Sequence, residues 1–292
     1  MSKALRYYVP HSSWWPFFGS VVMVFFVLGL ISWLHNMNYA WLIVGIGVIG
    51  IATLMTGWFH DIMKESSAGL YSPQMHQTFR IGMMWFITSE IWFFAALFGA
   101  LFYARWVSVP WLAGLDGYNL ATKEFLYPSF QYQEWPLLNN PDPSQHPAAL
   151  GRIAPWGLPL YNTIVLLLSA VTLTLAHHKI LKDRYVASGL WLCITASLGV
   201  AFLVLQYHEY AHAIQELRLL LSSGIYASTF YMITGFHGLH VLIGTIFLSI
   251  VAIRTFRGHF TAHNHFAFES AAWYWHFVDT IWWAVFLFVY CV

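Results

Sequence analysis

Charged residues are scarce in this chain. Lys, Arg, Asp and Glu make up 9% of its 292 residues, well under the roughly 25% of a soluble domain. A surface built for water on all sides is excluded. Cysteine is rarer still: Cys193 and Cys291 lie in separate apolar runs, so neither a disulfide framework nor a thiolate metal site follows. The basic residues form no cluster and the net charge is +1, which offers no face to nucleic acid. No P-loop, dinucleotide fingerprint, nucleophile elbow or internal repeat occurs. Lys3, Lys64, Lys123, Lys179 and Lys182 all fall outside the apolar runs, which excludes a retinal Schiff base within a helix.

What is abundant is apolar and aromatic: 59% and 19% of residues, with 16 Trp and 16 Tyr. Amphipathic rings in such numbers suit membrane interfaces. Seven uncharged or nearly uncharged runs are long enough to span a bilayer. They are 17–34, 40–59, 81–103, 157–176, 188–207, 227–253 and 271–289. The chain therefore reads as an all-α polytopic membrane protein, with Trp14, Trp33, Trp41, Trp58, Trp106 and Trp156 near run ends. The first run lacks a small-residue cleavage site and reads as a retained helix. Residues 1–60 hold the tail and helices one and two, 61–80 a cytoplasmic connection, and 81–292 helices three to seven. Within the last, an outer loop at 107–155 carries seven of the eleven prolines.

With seven spans, connections alternate sides. Lys3, Arg6, Lys64, Arg80, Lys179, Lys182, Arg184, Arg254 and Arg257 share one side. Arg105, Lys123, Arg152 and Arg218 share the other with six of the twelve acids, among them Asp116, Glu134 and Glu209. The excess of positive charge places the N-terminus in the cytoplasm and the C-terminus outside.

Glu90 lies within the third run, nine residues from Ile81, or about 14 Å into a roughly 30 Å hydrocarbon core. A carboxyl there costs several kcal/mol on insertion scales and marks function or a polar helix contact. The sixth run carries GFHGLH, with His237 at a comparable depth and His240 three residues on. A Glu90–His237 contact is geometrically open, and Gly235 and Gly238 leave room for a neighbouring helix. In the last run, WYWHFVDTIWW sets His276 and Asp279 at i, i+3, a spacing at which imidazole and carboxylate can satisfy each other. His208-Glu209-Tyr210-Ala211-His212 fits the zinc-protease pattern H-E-x-x-H, but Gln215 and Arg218 stand where an extended pattern needs Gly and His. The expectation is that this chain binds no metal and no haem.

Four blocks then add a resemblance: WFITSEIWFF, LYNTIVLLLSAVTLTLAHH, GFHGLHVLIG and FESAAWYWHFVDTIWW. In this order they resemble subunit III of haem–copper cytochrome c oxidase, and the similarity runs from about Trp14 to the C-terminus. The long connection resembles the bacterial form. The resemblance implies helices one and two set apart from helices three to seven, with phospholipids in a cleft. It implies haem a and copper in partner subunits only, direct packing on subunit I, and subunit II as a further partner. Oxygen reduction and proton pumping, with electrons from cytochrome c, would belong to the complex, and this chain would sustain proton uptake without catalysing. Its intramembrane carboxylate would be Glu90. Lipid headgroups would meet Lys64, Glu65, Arg254, Arg257 and His259. The chain departs from the family just after Glu65, where SSAGLYSP is one residue shorter and Tyr71 replaces a common histidine. Two alternatives stand beside this reading: subunit III of a quinol oxidase, and a proton-coupled transporter using Glu90, His237, His276 and Asp279.

Overall fold

A computed structural model describes residues 12–115, 120–126, 128, 130, 134–142, 144, 146–262 and 264–291, and all regular structure among them is helical. Lys3, Arg6 and Asp116 of the charge distribution lie outside the described residues. Six helical stretches are long and apolar enough to cross a membrane. The chain divides into two compact units, Met1–Ile81 and Gly82–Val292.

The first unit is a helical hairpin of α1 (Trp15–Leu34) and α2 (Ala40–Ser67). Lipid tails are as apolar as the side chains, so helices associate here by close packing, which small residues permit. Gly29 faces the backbone of Val44 and Gly47 that of Phe26; a Cβ at either position would stand 2.6 Å from a backbone atom. At the open end of the hairpin, the Trp15 ring lies against Gly57, and its Nε1 donates to Asp61 Oδ2 at 2.8 Å. α2 outlasts its apolar run because polar residues continue it to Ser67, where Gly69, at φ 68°, closes the helix.

Ser72 caps α3 (Pro73–Tyr103), its Oγ accepting from the Met75 N–H at 3.3 Å. The sequence reading begins the outer loop at 107, but the chain stays helical to Leu112. A π-turn at Ala104–Ser108 shifts the hydrogen-bond register before α4 (Val109–Leu112). Pro110 thereby sits in a first turn, where a missing N–H costs nothing. A short α5 (Leu120–Leu126) also interrupts the loop.

α6 (Leu158–Ile180), α7 (Tyr185–Gln215), α8 (Ile225–Phe256) and α9 (Phe266–Val285) form the core of the second unit. α9, unlike the other three, is not one of the six candidate spans; it holds Glu269, His276 and Asp279 and continues into a π-turn at Phe286–Cys291. Its Trp275 and Trp282 are fully buried. The Trp275 ring fills space left by Gly199 of α7 and Gly244 of α8, and its Nε1 donates to Ser169 Oγ of α6 at 2.9 Å. About two turns further along the same face, Trp282 Nε1 donates to Thr163 Oγ1, also at 2.9 Å. The close helix crossing expected at Gly235 and Gly238 is not formed there. A Cβ on Gly238 would meet nothing within 4 Å, and one on Gly235 only the Tyr210 hydroxyl at 3.7 Å. Gly199 and Gly244 take that role, because the wide Trp275 ring needs the space.

Overpacking a tight contact costs about 1–3 kcal/mol. Gly47→Ala must push α1 and α2 apart and is expected to lower the thermal midpoint of the detergent-solubilised protein by several degrees. Gly45→Ala, on open surface, should leave it unchanged. Equal midpoints for both would show that the hairpin does not depend on that approach.

Candidate functional site

Glu90 meets α8 through His240. Glu90 Oε2 lies 2.9 Å from His240 Nε2, with 23% and 11% of the two side chains exposed. The other ring nitrogen, Nδ1, is 2.6 Å from the Phe236 carbonyl and so must donate to it. Nε2 then has two options: a lone pair that accepts from a protonated Glu90, or a proton donated to the carboxylate. In both, one proton is held between the two residues. Aromatic rings line this contact. Phe94 meets the imidazole edge-on at 5.0 Å, and Phe93 and Tyr274 stack near it at 6.2 and 6.3 Å.

His237 does not reach Glu90. Three residues along a helix turn the side chain by about 60°, which aims His237 at Phe202 and Trp282 instead, at 5.7 and 5.0 Å between rings. It is fully buried, and neither ring nitrogen has a partner. The same rotation separates His276 from Asp279. No hydrogen bond or ion pair joins them, and Asp279 Oδ1 is buried without a partner.

The interfacial residues sit at helix ends. Lys64 is exposed on the last turns of α2, and Glu65 Oε2 accepts from Tyr71 OH at 2.8 Å. The tyrosine that replaces a common histidine thus holds the glutamate. At the end of α8, Gly258 takes φ 70°, and the His259 N–H donates to Arg254 O at 3.1 Å, closing a Schellman turn. Arg254 lies over the Phe260 ring at 4.7 Å with its Nε buried and unpartnered, while Arg257 and His259 are exposed.

The H-E-x-x-H residues do not share one site, because Glu209 points inward while His208 and His212 are exposed. His212 Nδ1 pairs with Glu216 at 3.1 Å on the outside. Glu209, read from sequence as part of an outer connection, is 1% exposed. Its Oε1 accepts from Tyr290 OH at 2.6 Å and Gln206 Nε2 at 3.3 Å, while Oε2 is buried with no partner. The signal for it was present: Gly199, Phe202, Gln206, Glu209 and Ala213 continue the buried stripe of α7 at helical spacing.

Removing one partner of a buried hydrogen bond leaves the other's desolvation uncompensated, at about 1–3 kcal/mol. Glu90→Ala is therefore expected to destabilise by that order in thermal unfolding followed by circular dichroism. Glu90→Gln, whose amide can donate to a neutral Nε2, should lose less than half as much. Equal losses would remove the pair as a structural contact.

The chain matches the family model described as Cytochrome c oxidase subunit III over residues 6–115 and 143–292. The unmatched stretch lies inside the long connection between α3 and α6. Among curated relatives, the cytochrome c oxidase subunit 3 of Dugong dugon is 35% identical over 285 residues, covering 97% of this chain and 96% of that one. That of Struthio camelus is 36% identical over 289 residues, covering 99% and 97%. That of Halichoerus grypus is 37% identical over 285 residues, covering 97% and 96%. With α1 to α3, α6 to α9, Glu90 and the GFHGLH block all inside the matched residues, the chain belongs to the cytochrome c oxidase subunit III family.

Proposed function

We propose that this chain acts within cytochrome c oxidase as a subunit without a redox centre, supporting proton uptake by the catalytic subunits and holding phospholipid. The reading is carried by the Glu90–His240 pair: one proton held between two helices, in otherwise apolar surroundings. Such a pair can change its protonation or its hydrogen bond without any electron passing through the chain. Haem a and copper belong to the partner subunits in this reading. Subunit I packs directly on this chain, subunit II completes the core, and cytochrome c delivers electrons to the complex. The matched relatives align along nearly the whole chain, α1 and α2 included, which favours neither a quinol oxidase subunit nor a transporter.

We further propose seven spans in a bacterial inner membrane, with a cytoplasmic N-terminus and a periplasmic C-terminus. Lys64 and Arg80, then Lys179, Lys182 and Arg184, then Arg254 and Arg257 fall at alternate helix ends, as the positive-inside rule asks. The same basic ends suit anionic headgroups. Arg254 and Arg257 flank one helix terminus, and Lys64 beside Glu65 marks another. A juxtamembrane cation contributes about 1 kcal/mol toward an anionic lipid surface. Replacing both Arg254 and Arg257 with Ala should therefore reduce the phospholipid retained through purification, measured by native mass spectrometry. Unchanged lipid would leave the two arginines as topology anchors.

The function itself is tested at Glu90. In reconstituted complexes, Glu90→Gln should keep the initial rate of oxygen consumption near the parent value, since the redox metals lie elsewhere. Proton pumping or the number of turnovers before inactivation should fall. Oxygen uptake and proton release measured together separate the outcomes. Loss of initial oxygen reduction in a fully assembled complex would defeat the supporting role.

A further inference from the structure

A second polar cluster lies away from Glu90, where the end of α6 meets the start of α9. His177 is in the last turn of α6, His265 immediately precedes α9, and Glu269 is in its first turn. One ligand atom from each lies within 4.8 Å of the others. The hydrogen bonding fixes which atoms face inward. His265 Nδ1 is 3.1 Å from the Thr261 carbonyl and must donate to it, so in the neutral ring Nε2 presents a lone pair. That Nε2 sits 3.4 Å from Glu269 Oε1, yet makes no hydrogen bond. His177 Nε2 is likewise buried without a partner. The two imidazoles stand 5.6 Å apart between centroids, and Phe268 stacks on His177 at 5.4 Å.

A proton on His265 would answer for that ring alone and leave His177 Nε2 bare. A metal ion would answer for both nitrogens at once, with Glu269 Oε1 within reach. We propose that His177, His265 and Glu269 bind a divalent first-row transition-metal ion of the Zn2+ kind. Two imidazoles and a carboxylate suit Zn2+ better than Mg2+ or Ca2+, which favour all-oxygen shells. Zinc bonds to such ligands at roughly 2.0–2.2 Å, so the three donors close on the ion by small side-chain rotations and leave a fourth position for water. The Thr261 carbonyl is the outer partner that a ligating imidazole needs on its other nitrogen, fixing tautomer and ring orientation. The sequence reading expected no metal. It weighed His208 and His212, adjacent in sequence, whereas these ligands come together only when α6 and α9 pack.

The test uses the whole oxidase, stripped with chelator, loaded with a small excess of Zn2+ and desalted, with zinc counted against haem iron. The parent should hold one zinc more per complex than His177→Gln or Glu269→Gln. His178→Gln, which changes the neighbouring imidazole outside the triad, should match the parent. Equal zinc in the parent and both triad variants, or the same loss in His178→Gln, overturns the site. A readout that needs no variant stands beside this. Fe2+ with hydrogen peroxide, applied to the stripped parent complex, should oxidise His177 and His265 in preference to His178 by peptide mass spectrometry, and Zn2+ should suppress that oxidation. Oxidation spread evenly over these three histidines, or unaffected by Zn2+, overturns the proposal.

Discussion

Two indole N–H groups on α9 organise the second unit. Within a bilayer, helices gain little by hiding apolar surface from one another, and each unpaired polar group costs several kcal/mol. Trp275 and Trp282 meet both conditions at once. Each fills a wide gap between helices and places its donor on a hydroxyl of α6. Those hydroxyls are themselves committed, Ser169 donating to Leu166 O at 2.6 Å and Thr163 to Pro159 O at 2.8 Å. The indoles therefore use acceptor capacity that the serine and threonine have left over. The glycines that make room, Gly199 and Gly244, are on α7 and α8, so one ring registers four helices.

α3 stands in a different position. It approaches this core through long side chains, Phe94 and Leu101 with Phe93, Leu97 and Phe98 beside them, more than by close backbone contact. Its opposite face leaves Trp85 and Trp92 each 72% exposed. With so little interdigitation, the Glu90–His240 bond fixes the azimuth of the helix far more than a polar pair would inside a dense bundle. The pair thus ties α3 to α8 at one polar point.

The helices and a polar helix contact at Glu90 were legible in the sequence because both rest on local signals: apolar run length, and one carboxyl inside such a run. The choice between His237 and His240 was not, since depth is read from sequence but azimuth depends on which neighbour each face meets. The H-E-x-x-H segment misled for the opposite reason. A ligand pattern presumes that both histidines and the glutamate share a site, whereas the buried stripe of α7 carries Glu209 inward and leaves His208 outside. For His177, His265 and Glu269 the sole local signal was the i, i+4 spacing of the last two, because no short spacing joins them to His177 on another helix.

Glu90 and Glu209 show how alike two carboxyls can look in sequence and how differently the fold employs them. Glu209 has two donors converging on one oxygen, one of them Tyr290, in a place only 1% exposed. Its bonds tie α7 to the π-turn that ends the chain. Glu90 has one hydrogen-bond partner among the described residues, the His240 imidazole, and retains 23% exposure. Tyrosine gives up a proton far less readily than imidazole, with reference values near 10 against 6.5, so the Glu209 network is suited to holding a structure still. The two carboxyls thus differ in their partners, a phenol and an amide for Glu209 and an imidazole for Glu90.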